Sequence, residues 1–252
     1  MLPNPNKVVK VSAVSYANTY PFIYGIKQII DAHKIELSQD IPADCAQKLS
    51  DKLVDVGLIP IAKLADIPNG RIISDYCIGA KEAVKTVLLM SRVPMDAISD
   101  VYLDSESRTS VNLIKVLAKN FLLKDWQWKE GPKNFPDPNL HQSIVLIGDK
   151  TYKARQNYPF VYDLAELWFE FTGKPFVFAA WVANCDLPDD FISEFNSALS
   201  YGLHNIDAAL DVYADEWQKE ELKNYLTNYI SYDLDREKKE GMNLFLEYLK
   251  EL

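Results

Sequence analysis

The sequence predicts an α/β protein of two lobes, and three observations carry that expectation. Strands and helices alternate from the first apolar run onward, a fresh strand–helix unit begins near Arg92, and an apolar strand near Phe176 brings the chain back. Length agrees, because 252 residues exceed the commonest single-domain size of roughly 100 to 150. A hydrophobic content of 48% with 25% charged residues is the balance of a globular chain that can bury a full core. The expected division puts residues 1–91 and 180–252 in a discontinuous first lobe with a helical carboxyl terminus, and residues 92–179 in the second.

The elements follow in order. Val8 to Val14 is β-branched and reads as a strand; Pro21 to His33 reads as a helix, with Phe22, Ile23, Ile26, Ile29 and Ile30 on one face. A short strand near Ile35 to Leu37 leads through Pro42 into a helix ending near Leu49, and Val54 to Ile59 closes on Pro60 as a buried strand. This β-α-β-α-β order favours a parallel sheet. Ile72–Ile73, Val84 to Met90 and Val101 to Leu103 read as further strands, and the last runs into Ser105 to Ser110 and a helix reaching Phe121. Gly131 to His141 is the one evident long loop. Ser143 to Ile147 is a strand, and a short helix follows Asp149. Phe176 to Val182 is the returning strand, and from Pro188 onward the spacing is helical throughout.

Composition excludes several function classes. Net charge is −9, and the stretch from Asn205 to Leu252 holds 12 acidic against 6 basic residues. Such acidity argues against nucleic acid as a partner, since that needs a basic face, but a small anion needs only a few well-placed donors. The nine glycines are dispersed, which removes the dinucleotide fingerprint, the P-loop and the nucleophile elbow. His33, His141 and His204 are far apart and no cysteine or histidine pair has ligand spacing, so no metal site of that kind is expected; a site built from carboxylates alone stays open. Cys45, Cys77 and Cys185 read as thiols of a reducing compartment. The amino-terminal residues lack the apolar core of a signal peptide and Pro175 to Ala183 is too short to span a bilayer, so a cytoplasmic protein without membrane partner is expected.

In a two-lobed α/β fold small ligands bind beyond the carboxyl ends of parallel strands, where loops and helix amino termini converge. Three segments meet that description: Ser15 to Pro21, Ser105 to Ser110, and Ile147-Gly148-Asp149. Ser107, Thr109 and Ser110 supply hydroxyls and N–H groups at a helix start, and Arg108 supplies a bidentate fork; together they suit a carboxylate. Each residue also has a plain structural reading. Ser107 or Thr109 caps the helix and Arg108 is solvated, Asn18 is a cap ahead of Pro21, Asp149 is a cap, and Thr86 is a strand former.

Five segments then occur in a telling order: Asn18-Thr19-Tyr20-Pro21, Asp55-Val56-Gly57-Leu58-Ile59-Pro60, Ser107-Arg108-Thr109-Ser110-Val111, Leu146-Ile147-Gly148-Asp149, and Asp163-Leu164 through Trp168 to Ala179. On these motifs the sequence resembles the chorismate dehydratase family of the futalosine route to menaquinone. The resemblance implies a type II periplasmic-binding-protein-like fold, a small dianionic substrate (chorismate), no cofactor, and compatibility with a homodimer. It also implies catalytic roles for Asn18 and Thr86, with Tyr16, Ile59, Ser107, Arg108, Thr109, Ser110, Gly148 and Asp149 binding substrate. Thr86 stands where the family is expected to place a serine, keeping the hydroxyl while adding a methyl.

The implied reaction removes water from chorismate to give 3-[(1-carboxyvinyl)oxy]benzoate, driven by aromatisation. The proton on the ether-bearing ring carbon is activated through the diene to the ring carboxylate, where charge grows, so donors at the Ser107 to Ser110 helix start would stabilise the transition state. Either the substrate's own enolpyruvyl carboxylate takes that proton while Asn18 holds its rotamer, or Asn18 takes part more directly. The alternative from another class is a non-catalytic cytoplasmic binding protein for a small carboxylate.

Overall fold

The computed structural model describes residues 8–104, 106–131, 142–215 and 218–252. Val9–Val14 (β1) is followed by a 3₁₀ turn at Ala17–Thr19, then by Tyr20–Ile29 (α1), Ile35–Asp40 (β2), Pro42–Ser50 (α2) and Val56–Pro60 (β3). Next come Arg71–Ala80 (β4), Val87–Ser91 (β5), Asp100–Leu103 (β6), Arg108–Leu117 (α3) and Gln127–Glu130 (β7). Ser143–Ile147 (β8), Lys150–Ala154 (α4), Phe160–Asp163 (β9), Leu164–Thr172 (α5) and Phe176–Ala183 (β10) continue the alternation. The chain ends with Asp189–His204 (α6), Ile206–Tyr213 (α7), Lys219–Asn228 (α8), Ser231–Asp233 (β11) and Arg236–Leu249 (α9).

Two compact units result: Met1–Ile78 with Phe178–Asp235, and Gly79–Val177 with Arg236–Leu252. The first is built on a six-stranded sheet of order β11-β4-β10-β3-β1-β2, in which β1 runs parallel to β2 and β3 and β10 runs antiparallel to β3. Its core gathers Phe22 of α1, Trp181 of β10, Phe195 of α6 and Tyr232 of β11 in edge-on ring contacts. Helices α1 and α6 touch backbone to backbone, because a Cβ at Gly25 would meet the Ala198 carbonyl and one at Gly202 the Pro21 carbonyl. The second unit carries a five-stranded sheet of order β7-β6-β8-β5-β9; β6 is parallel to β7 and β8, whereas β5 is antiparallel to β8 and β9. Its aromatic core centres on Trp168 of α5, which meets Phe176, Phe245 and Tyr248 edge-on.

Besides the short strands β7 and β9, which were not among the expected elements, four particulars differ from expectation. First, α1 stops at Ile29 instead of His33, because Ile30 is extended (φ −88°, ψ 129°) and Asp31 closes a turn through its carbonyl and carboxylate. Second, the unit boundaries fall at 78/79, 177/178 and 235/236, where 91/92 and 179/180 alone were expected. Strand β5 belongs to the second unit since both its ladders, to β8 and β9, lie there, and α9 joins it by packing Phe245 on Trp168. Third, the carboxyl-terminal region is not all helical: β11 is an edge strand, tied to β4 by Leu234 N–H donating to the Asp75 carbonyl at 2.7 Å. Fourth, Thr86 precedes β5 instead of lying within it. Ser105, His141 and the expected loop beyond Gly131 lie outside the described residues. Among the described residues no disulfide forms, and burial pushes the Cys45 thiol up to about 12.

Candidate active site

The second unit assembles a loop cluster at one end of its sheet. Because β6 and β8 are parallel, the segments that follow them, 104–110 and 148–149, emerge at the same end; β5 runs the other way, so Thr86 arrives there ahead of it. The Thr86 carbonyl accepts the Gly148 N–H at 2.8 Å. Asp104, buried, joins the other two loops: one carboxylate oxygen accepts the Glu106 N–H at 3.0 Å, and the other accepts the Ile147 N–H at 3.1 Å and pairs with the Lys150 ammonium at 2.7 Å. Thr86, the start of α3, Gly148 and Asp149 are thereby brought together. Gly148 has φ +68°, a left-handed turn that suits a residue without Cβ.

Ser107 does cap α3. Its Oγ accepts the Ser110 N–H at 3.1 Å and donates to the Ser110 Oγ at 2.8 Å, so these two hydroxyls fix each other's position. Thr109 and Ser110 are buried, whereas Arg108 is exposed at the first helical position. A cation there is placed against the positive end of the helix dipole, an arrangement that an anion at the same point would reverse. Asp149 makes no side-chain cap on α4, so the capping reading does not account for it.

Thr86 is 2% exposed and follows Lys85, whose φ of +68° is left-handed. The N–H groups of Val84 and Lys85 turn away from any ladder and donate to one oxygen of Asp163, at 3.0 and 2.6 Å. The other oxygen of Asp163 caps α5, accepting from Ala165 at 3.0 Å and Glu166 at 3.3 Å. Burial raises the Asp163 carboxyl above the ordinary carboxylate range, and the hydrogen bonds from Lys85, Val84, Glu166 and Ala165 oppose that only in part. Sequence reasoning missed Asp104, Lys150 and Asp163 as members of this cluster. The spacing Asp163-x-x-Glu166 before an apolar run signals a helix start, but nothing local signals the reach back to Val84.

In the first unit, Asn18 sits inside the 3₁₀ turn after β1, so it caps neither that turn nor α1; their caps are Tyr16 and Thr19. Its carbonyl accepts the Tyr232 hydroxyl at 3.0 Å, and its side-chain amide makes no hydrogen bond to a described residue. Thr19 Oγ1 donates to the Val14 and Tyr16 carbonyls, which locks the turn to the end of β1. Tyr16 is half-buried beside it. Ile59 is 0% exposed, with its side chain in the core of the unit.

Three comparisons bear on this arrangement. The profile of the family described as menaquinone biosynthesis matches residues 9–251. Chorismate dehydratase of Thermus thermophilus is 26% identical over 200 residues, covering 71% of this chain and 73% of that one. Among solved structures, an Archaeoglobus fulgidus protein superposes with a TM-score of 0.78 at 15% identity over 98% of each chain. A Candida albicans protein described as having the generic periplasmic binding protein fold gives 0.68 at 16% identity, over 98% of this chain and 91% of that one. The periplasmic aliphatic sulphonate binding protein of Escherichia coli gives 0.62 at 14% identity, over 96% and 92%. Such likeness shows a periplasmic-binding-protein fold, and the profile match over nearly the whole length shows that this chain belongs to the menaquinone biosynthesis family.

Proposed function

We propose that the protein is a chorismate dehydratase, a hydro-lyase that converts chorismate into 3-[(1-carboxyvinyl)oxy]benzoate on the futalosine route. The observation that carries this reading is the loop cluster of the second unit. Ser107, Thr109, Ser110 and an exposed Arg108 form the start of α3, and the Thr86 backbone is tied to Gly148 in the neighbouring loop, in a chain of this family.

In this account the ring carboxylate is received at the start of α3, where the helix dipole and Arg108 favour the negative charge that grows on it as the proton leaves. The substrate's own enolpyruvyl carboxylate removes the proton from the ether-bearing ring carbon. Hydroxide departs from the neighbouring carbon and takes up the proton, so hydrogen and hydroxyl leave together as one water. Thr86 donates its hydroxyl to the substrate. Incubation of the purified protein with chorismate, followed by mass analysis, tests the reading: a product lighter by one water is expected. Chorismate recovered unchanged but bound overturns it in favour of a binding protein.

A further inference from the structure

We propose that Asp163 is a positioning residue that acts through Thr86, its carboxylate fixing the left-handed turn at Lys85 that aims the Thr86 hydroxyl; the assignment rests on the dehydratase reading. A helix cap requires one oxygen, and Asp163 gives one to α5. Its second oxygen reaches back 78 and 79 residues to the N–H groups of Lys85 and Val84. Both donors lie ahead of β5, which begins only at Val87. A left-handed lysine is a disfavoured conformation, so the turn persists only where its surroundings impose it. They do so on both sides: Asp163 holds the N–H of Lys85, and the Gly148 N–H holds the carbonyl of Thr86. The Thr86 side chain leaves the backbone between these two ties, and its branched Cβ leaves little freedom in χ1, so backbone position sets hydroxyl direction.

The chemistry of the carboxylate points the same way. Asp163 is 7% exposed and its four hydrogen bonds all come from backbone N–H groups. Asparagine caps helices as well as aspartate does, without a buried charge. What asparagine lacks is a second acceptor: with its oxygen on α5, its amide would face the N–H groups of Val84 and Lys85, donor to donor. Serine likewise caps α5 but is too short to reach the turn.

Turnover of chorismate by wild type, D163N, D163S, T86V and the D163S/T86V double variant tests the proposal. Asp163→Asn and Asp163→Ser are each expected to lower kcat about 10²-fold, the scale for a reacting group displaced by about an ångström. The double variant is expected to be no slower than Thr86→Val alone, because a residue acting through Thr86 has nothing further to lose. Multiplied effects in the double variant, or wild-type turnover in Asp163→Ser, would overturn the proposal, since a merely structural cap lowers stability independently of Thr86. Wild type that returns chorismate unchanged fails the dehydratase reading first, and this assignment with it.

Discussion

Asp40 and Asp163 each end a strand, one in each unit, and each accepts several hydrogen bonds, yet they are held in opposite ways. Asp40 ends β2 and is held by side chains: Ser12 Oγ at 2.7 Å, Ser38 Oγ at 2.8 Å and the Lys48 ammonium at 2.6 Å. Burial pushes its carboxyl up, but Lys48 and the two serines outweigh that and leave it below the ordinary value. Asp163 ends β9 and is held by backbone N–H groups alone, and burial leaves it above the ordinary value. A carboxylate with its own cation strengthens the unit that contains it. One that lacks a cation is an expensive charge, retained for the backbone it shapes. The half-buried Asp40 therefore joins β1, β2 and α2 within the first unit, whereas the buried Asp163 joins α5 to the turn ahead of β5 in the second.

Substitutions should separate the two by what they damage. Asn18→Asp, adding negative charge where a dianion is expected, should lower turnover about 10³-fold, the upper range for losing one well-placed donor. A carboxylate variant faster than wild type would remove the like-charge argument. Thr86→Val should lower chorismate turnover about 10²-fold while Thr86→Ser stays within a few-fold, and equal rates for the two would remove the hydroxyl from the chemistry. Asp40→Asn, by contrast, should cost about 1 to 2 kcal/mol in a urea titration and leave turnover within a few-fold. Loss of turnover without loss of stability there would erase the distinction between the units.

The pH dependence sharpens the contrast by sign. Asp40, lowered in the folded state, contributes stability that is present above its unfolded value and lost as pH falls through the folded one. Asp163, raised in the folded state, contributes stability that is present below its unfolded value and lost as pH rises through the folded one. Urea midpoints of wild type relative to Asp40→Asn should therefore rise with pH below the ordinary carboxylate value of about 4, and those relative to Asp163→Asn should fall as pH rises above it. Slopes of the same sign would contradict the assignment.

What was legible in the sequence follows from what is local. The β-branched run at Val9–Val14, the continuous apolar runs of β3, β8 and β10, and the serine ahead of α3 declare their elements because strand burial and capping act within a few residues. Strands β7 and β11 are four and three residues long and sit at sheet edges, where no apolar pattern is required. The loops after β1, β6 and β8 were legible from topology alone, since these strands run parallel to their neighbours. Their cross-links were not. Asp104 reaches Ile147 across 43 residues and Asp163 reaches Val84 across 79, and the left-handed lysine that delays β5 past Thr86 has no propensity signal.

The proposed dehydration removes one particular ring hydrogen together with the neighbouring hydroxyl. Chorismate carrying deuterium on the ether-bearing ring carbon tests it most directly, with product and solvent followed by NMR. The account predicts 3-[(1-carboxyvinyl)oxy]benzoate free of deuterium, with the label released to water. A product that keeps the label, or labelled chorismate that persists unchanged with the enzyme, would contradict it.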